Sequence, residues 1–454
     1  MSTSNSNTKK APAMFHSSNL CTPDYKENAY WHDTSPPYPE LSTSLPEHVD
    51  VAVIGSGYTG LHTALQTARG GRSTLVLEAN NVGHGCSTRN GGQISTSIKP
   101  SIEQLTKKFG TDKAKAIRNE GKAALEWIEA FLSSESIECN FERNGRYHAA
   151  HTPAQFEAIA KQADVLTKTE GIEAFAVAKQ DQRSELGSNA YHGGVVFPRH
   201  ASLNAGKYHH GLLLNTLTAG ATVLAECHVT AIDRTAESGD VQFKLTTAQG
   251  DVTARDVMIA TNGYTSELTP WLQRRIIPIG SYVIATEQLD VKIIDELFPT
   301  KRIASDTCRV VYYYRASPDR TRVLFGGRVS ANETNPAISG PRLHKQMCRI
   351  FPELQNTGIS HSWAGTVGYT FDTLAHTGVH EGQHYAMGFC GSGVSMASYL
   401  GMRAGQKILN NPAGNTALDN LPFPSRPLYS GKPWFLPSVV SYYRWRDKLE
   451  YSRN

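Results

Sequence analysis

The run Val49-Asp50-Val51-Ala52-Val53-Ile54, followed at once by Gly55-Ser56-Gly57-Tyr58-Thr59-Gly60, constrains this chain more than any other part of it. The first six residues are short, mostly apolar and β-branched, as in a strand buried within a parallel sheet. Leu61, Ala64, Leu65 and Ala68 then recur at helical spacing up to Gly70-Gly71. A second strand, Ser73-Thr74-Leu75-Val76-Leu77-Glu78, completes a βαβ unit whose parallel pairing and handedness follow from general rules. In this context GxGxxG predicts a dinucleotide site. The first glycine permits the tight turn, the second lets backbone approach a pyrophosphate, and the third allows the helix to pack on the strand. The N-terminus of the helix presents N–H groups and a positive dipole end to phosphate. Glu78, 18 residues beyond Gly60 and followed by Ala79, is placed to accept hydrogen bonds from a ribose, which disfavours a 2′-phosphate.

Two further glycine-rich segments bear on which dinucleotide is bound. Gly83-His84-Gly85-Cys86-Ser87-Thr88-Arg89-Asn90-Gly91-Gly92-Gln93 follows the acidic residue and brings amides, Ser87 and Arg89 within reach of an extended cofactor; a flexible surface loop is the lesser alternative. Gly388-Phe389-Cys390-Gly391-Ser392-Gly393 lies between a strand (Tyr385-Ala386-Met387) and a helix starting near Val394, where a helix N-terminus would stabilise charge on a reduced flavin. Two such junctions, over three hundred residues apart, fit FAD better than NAD.

At 454 residues, 39% hydrophobic and 19% charged, the chain has room for two or three domains with substantial cores. The formal charge of +4, with Lys and Arg scattered, gives no nucleic-acid footprint. No apolar run approaches the ~18–20 residues of a membrane span, and the N-terminus lacks the apolar stretch of a signal peptide. Seven dispersed cysteines with no CxxC pair argue against a zinc ribbon or a disulfide framework. A cytoplasmic enzyme is expected. The polar segment 1–25 is expected to be disordered, whereas the aromatic arm from Tyr25 through Tyr30, Trp31 and Tyr38 should pack on the body. Helices are expected over 112–133, from Thr152-Pro153, and over 203–219, with strands near 222–232, 241–247, 251–254 and 257–260 and through the Tyr- and Val-rich stretch 280–330.

Taken together, Gly55 to Gly60 with Glu78, Ser87 to Gln93, Ala260-Thr261-Asn262-Gly263-Tyr264 and the Gly388–Gly393 turn resemble the D-amino-acid-oxidase, glycine-oxidase and sarcosine-oxidase superfamily of flavoproteins. Tyr30-Trp31, Gly57 to Leu61, Arg89 to Gln93, Trp363 to Thr370 and Pro433-Trp434-Phe435-Leu436-Pro437 are similar to gamma-glutamylputrescine oxidoreductases. The resemblance implies an α/β fold, α+β overall: a Rossmann-like FAD domain from segments 26–104, 195–270 and 360–454, and a β-rich substrate domain from 105–194 and 271–359. It also implies cofactor roles. Gly55, Ser56, Gly57, Tyr58, Thr59, Gly60, Glu78 and Ala79 would hold ADP. Gly85, Ser87, Thr88, Arg89, Asn90, Gly91 and Gln93, with Thr261, Asn262 and Gly263, would line the path to the isoalloxazine. Val229 would meet adenine through its backbone, and Gly391, Ser392, Gly393 and Val394 the pyrimidine edge.

Departures from these relatives sharpen the expectation. Sarcosine oxidases carry a flavin-linking cysteine where this chain has Val367-Gly368-Tyr369-Thr370, so FAD should be noncovalent. Their carboxylate-binding lysine corresponds to Ser395, which weakens the case for a small α-amino acid, and their oxygen-activating lysine to Leu324 or a neighbour, which leaves O₂ or another electron acceptor open. Tyr282, Tyr312, Tyr314, Arg328, Trp363 and Tyr369 are the pocket candidates; core packing accounts for each tyrosine equally well, and Arg328 pairs either with a substrate carboxylate or with a structural acid. His376, His380 and His384 recur every four residues, but Gly378 and Gly382 interrupt any helix, so no metal site is expected. His209-His210 are expected on a helix surface. The expected activity is oxidation of a small amine such as gamma-glutamylputrescine. A secondary or D-amino acid, an NAD-dependent dehydrogenase and a noncatalytic flavoprotein are the alternatives.

Overall fold

The computed structural model describes residues 20–96, 98–237, 240–330 and 332–452. The chain weaves two sheets from interleaved segments, an α/β architecture as expected. In the first sheet five strands run parallel in the order Thr222–Leu224, Thr74–Leu77, His48–Ile54, Gly250–Ile259 and Gln383–Met387. Val229–Glu237 and Asp240–Thr247 extend it as an antiparallel meander from Gly250–Ile259. Parallel strands need both faces covered, and helix Tyr58–Arg69 covers one of them, packed in turn on Gly393–Ile408. The carboxyl ends Ile54, Leu77 and Ile259 all open toward one crevice, where open α/β sheets bind ligands.

The second sheet has nine strands, among them Arg146–Ala149, Gly194–Phe197, Ile277–Thr286, Tyr312–Ala316, Val323–Gly327 and Ile359–Tyr369. Two expected borders therefore shift. Residues 195–197 and 360–369, placed with the nucleotide segments by sequence, find their ladder partners in this sheet: Val196 opposite Tyr147, and Trp363 opposite Val283. Residues 1–19 of the expected disordered tail lie outside the described residues, but Cys21–Lys26 is a strand paired in parallel with Ile359–Tyr369. The arm beyond it does pack: Tyr30 and Trp31 are buried.

Both glycines that matter most act by close approach. A Cβ on Gly60 would sit 1.9 Å from the Gly55 carbonyl oxygen, so strand and helix can touch only here. A Cβ on Gly401 would sit 2.4 Å from the Thr59 carbonyl oxygen, where the two covering helices cross and Thr63 Oγ1 donates to Gly401 O at 2.9 Å. Gly401→Val should force these helices apart and cost about 1–3 kcal/mol, the usual range for overpacking; denaturant unfolding of the purified variant measures it.

Candidate active site

One crevice, with a volume near 1070 Å³, runs from the carboxyl edge of the parallel sheet to the inner face of the nine-stranded sheet. At its first end lie Gly55, Ser56, Gly57, Tyr58, Thr59, Glu78, Ala79 and Val229. Glu78 is already oriented: one carboxylate oxygen accepts from Ser56 N at 3.0 Å and Ser56 Oγ at 2.7 Å, the other from Asn80 N at 3.1 Å. A carboxylate offers about four lone-pair sites, so it can still take a hydroxyl from a ligand. Gly60 lies behind this wall, in the helix–strand contact.

The middle is the second glycine-rich loop, with Gly85, Cys86, Ser87, Arg89, Asn90, Gly91 and Gln93 on the crevice. Ser87 Oγ accepts from Tyr58 N at 3.0 Å, which ties this loop to the first turn of the helix. Asn90 holds the loop to itself, donating to Ser87 O at 2.8 Å and accepting from Gly92 N at 2.8 Å. Thr88 is not on the crevice; it is fully buried and its hydroxyl donates to Gly83 O. Opposite are Thr261, Asn262, Gly391, Ser392, Gly393 and Val394. Gly263 instead packs on the strand Ile359–Tyr369, its Cβ position 2.8 Å from Thr366 O.

The far end is built by strand alternation. Residues paired across a ladder share a face, so Trp363, Val283, Gly326 and Tyr313 lie on one face and Tyr282, Gly327 and Tyr312 on the other. The crevice takes the first face: Ser281, Tyr313, Gly365, Val367 and Tyr369 line it, and Tyr313 Oη lies 2.9 Å from Ser281 Oγ. Tyr282 and Tyr314 are on the opposite face. Tyr282 donates to Glu333 at 2.8 Å, and Tyr314 donates to Tyr191 at 3.0 Å between the rings of Phe325 and Phe351. Core packing explains both. Trp363 shares the face of Tyr313 but is buried with its indole N–H given to Arg89 O at 3.0 Å, so it holds the loop. Arg328 does reach the crevice, yet its guanidinium is taken by Glu333 at 2.9 Å and Gly280 O at 2.9 Å. Of the six pocket candidates named from sequence, Tyr312 lies off the crevice on the face of Tyr282, and Tyr369 alone lines the crevice without such an engagement. Tyr313 was missed; its signal was the alternation itself, since Tyr312 and Tyr314 cannot share its face.

The histidines also sort themselves by surroundings. His209 is not on a surface. It is fully buried, joined to Tyr38 Oη at 2.8 Å and Ser56 O at 2.8 Å, and burial pushes its pKa down to about 4. His376 meets Asp372 at 3.0 Å, His380 stacks on Trp271, and His384 lies 3.9 Å from Asp256, so each has its own partner. Among the described residues no helix is long and apolar enough to cross a membrane.

A family model described as FAD dependent oxidoreductase matches residues 50–406. The chain belongs to the FAD dependent oxidoreductase family. It is similar to the probable oxidoreductase OrdL of Haemophilus influenzae, 30% identical over 411 residues that cover 88% of this chain and 93% of that protein. It is 28% identical to the gamma-glutamylputrescine oxidoreductase of Escherichia coli over 424 residues, 91% of this chain and 96% of that one. Among solved structures it shares the fold of glycine oxidase from Geobacillus kaustophilus, with a TM-score of 0.70 at 17% identity over 84% of this chain and 99% of that one. The cofactor is thus FAD, and the NAD alternative is set aside.

The crevice fits such a cofactor. It is long and lined by backbone at both glycine turns, and the buried Arg89 Nε has no protein partner among the described residues. Burial pushes the Cys86 thiol up to about 11, so it stays protonated at neutral pH, where a thiolate would be the nucleophile. Acid precipitation of this family member should therefore release its flavin into the supernatant, read by absorbance. Glu78→Ala should raise the FAD dissociation constant about 10–100-fold, the cost of losing a hydrogen bond to a charged group and stranding Ser56 N–H; quenching of flavin fluorescence on binding measures it.

Proposed function

We propose that this enzyme oxidises the C–N bond of an amine that also carries a carboxylate, with gamma-glutamylputrescine as the type substrate. The observation that carries the reading is near full-length similarity to gamma-glutamylputrescine oxidoreductase, supported by a crevice whose lining is rich in cationic and poor in acidic side chains. In this reading Gly55 to Thr59, Glu78, Ala79 and Val229 hold the ADP half of FAD. The loop from Gly85 to Gln93, with Thr261, Asn262 and Gly391 to Val394, holds the flavin half without a covalent bond. FAD supplies the hydride acceptor, flavin N5; the substrate leaves as an imine that water hydrolyses to an aldehyde.

What the chain itself contributes is desolvation and orientation. Hydride can leave the carbon only when the amine is neutral, because the nitrogen lone pair forms the imine. Apolar and aromatic walls from Ile279, Val367, Tyr369, Tyr313 and Val440 disfavour the ammonium form by excluding water. The same walls restrict the poses of the reacting carbon. No protein acid or base is required on this route, in keeping with Glu78 being the one carboxylate among the described lining residues.

Anaerobic titration with gamma-glutamylputrescine, putrescine, sarcosine and D-amino acids tests the reading. Gamma-glutamylputrescine should bleach the flavin bands at the lowest concentration, and admission of air then separates an oxidase from a dehydrogenase with another acceptor. A yellow protein that bleaches with sarcosine or a D-amino acid but not with gamma-glutamylputrescine overturns the substrate assignment.

A further inference from the structure

Among the described residues six cationic side chains line the crevice: Arg89, Lys99, Arg118, Arg146, Arg309 and Arg328. Three are matched by acids. Arg118 pairs with Glu170 at 2.6 Å, Arg309 with Asp447 at 2.9 Å and Glu450 at 2.6 Å, and Arg328 with Glu333 at 2.9 Å. Arg89 belongs to the loop assigned to the cofactor, and Lys99 is solvent-exposed, its Nζ 5.6 Å from the centre of the Tyr369 ring. That leaves Arg146.

Arg146 opens the strand Arg146–Ala149 and is surrounded by protein except where it meets the crevice. It has no ion pair or side-chain hydrogen bond among the described residues. Its Nε is buried without a partner, and its guanidinium lies 5.4 Å from the centre of the Phe197 ring. Burial alone pushes it down to about 10, so it remains charged at neutral pH. A half-buried charge that faces a crevice with no counter-ion among the described residues is uncommon. Its titratable neighbours supply no negative charge. His148, 3.0 Å from Ser305 Oγ, and His200 are both pushed down, first by burial and next by Arg146 itself, so both are neutral. His200 Nε2 accepts the Thr96 N–H at 3.3 Å, which places the ring proton on Nδ1, a buried donor with no partner among the described residues.

We infer that Arg146 is the anchor for a carboxylate of the substrate, forming with His200 and Lys99 an anion subsite in the arm of the crevice on the nine-stranded sheet. A guanidinium presents a planar fork that a carboxylate meets with two parallel hydrogen bonds. The guanidinium of Arg146, the Lys99 ammonium and two neutral imidazoles offer positive charge and no carboxylate to an entering anion. Ile159, Leu166, Ile172 and Val195, apolar lining residues of the same crevice, suit the methylene stretches on either side of the amide in such a substrate. The substrate half of this inference rests on the amine-oxidising reading; the anion site rests on the crevice.

The test uses the FAD-loaded enzyme and two probes. Glutarate, a dicarboxylate without an amine, is titrated by its perturbation of the flavin spectrum or by calorimetry. Gamma-glutamylputrescine and putrescine are compared as reductants. Arg146→Gln should raise the glutarate dissociation constant about 10–100-fold, as expected for a hydrogen-bonded charge pair. It should lower the preference for gamma-glutamylputrescine over putrescine by a similar factor, and Arg146→Lys should recover part of both. The ratio of two substrates in one variant is insensitive to partial loss of folded enzyme. Unchanged glutarate affinity and substrate ratio in both variants overturns the inference, as does loss of glutarate binding in Arg328→Gln with none in Arg146→Gln. Glutarate binding that depends on Arg146 in an enzyme that no gamma-glutamyl amine reduces keeps the subsite and overturns the proposed substrate. Reduction by gamma-glutamylputrescine that ignores Arg146 does the reverse.

Discussion

The loop Gly83–Gln93 is the part on which the rest of the site depends, and three buried side-chain donors from distant parts of the chain hold its backbone. Trp31 Nε1 donates to Asn90 O at 2.7 Å, Trp363 Nε1 to Arg89 O at 3.0 Å, and Arg315 Nη1 to Gly92 O at 3.2 Å. Trp31 comes from the N-terminal arm, Trp363 and Arg315 from the nine-stranded sheet. A buried indole N–H or guanidinium left without an acceptor is expensive, so the loop, the arm and the second sheet are locked into one arrangement. The cofactor wall therefore exists only when both sheets are docked. This accounts for the interleaving of the segments: neither sheet could complete the crevice alone.

A comparable device works behind the first glycine turn. Tyr38 Oη meets His209 Nδ1, and His209 Nε2 meets Ser56 O, both at 2.8 Å. Ser56 N and Oγ face the other way, onto Glu78. Because burial holds His209 neutral down to about pH 4, its Nε2 remains a donor and Nδ1 an acceptor throughout the physiological range. The peptide at Ser56 is thus fixed from both sides, by His209 and by Glu78, which keeps the turn that precedes the helix amides pre-organised.

How much of this was legible in the sequence follows the range of the forces involved. The glycine turns, the strand before each and Glu78 were readable because close approach of backbone to backbone is a local steric matter, settled within about thirty residues of a βαβ unit. The two faces of the Tyr-rich strands were not. Period-two alternation separates Tyr313 from Tyr312 and Tyr314, but it names the inner set only when the other face meets water. Here both faces are buried, Trp363 and Val283 in the core around the first sheet's helices, Tyr282 and Tyr314 in the core beneath helix Pro336–Ile350. His209 was misplaced for a related reason: its helix, Ala205–Thr218, is wedged under the arm, and nothing in its own spacing announces that cover. Arg146 carries no local signal at all, because its meaning lies in the absence of acids around it among the described residues.

That absence bears on chemistry as well as on affinity. An amine tethered to a carboxylate is held in its ammonium form partly by the carboxylate's own field. At an effective dielectric constant of about 20, two unit charges ~8 Å apart interact by roughly 2 kcal/mol, enough to move a pKa by more than one unit. Pairing the carboxylate with Arg146 cancels that field, and Lys99, on the crevice beside Tyr369, adds a repulsive one. In this reading the residue that selects the substrate also removes an obstacle to deprotonating it. A substrate without the carboxylate meets an uncompensated Arg146, whose charge disfavours the entry of an ammonium ion. Selection and activation would then share one electrostatic origin, with no general base needed at the reacting carbon.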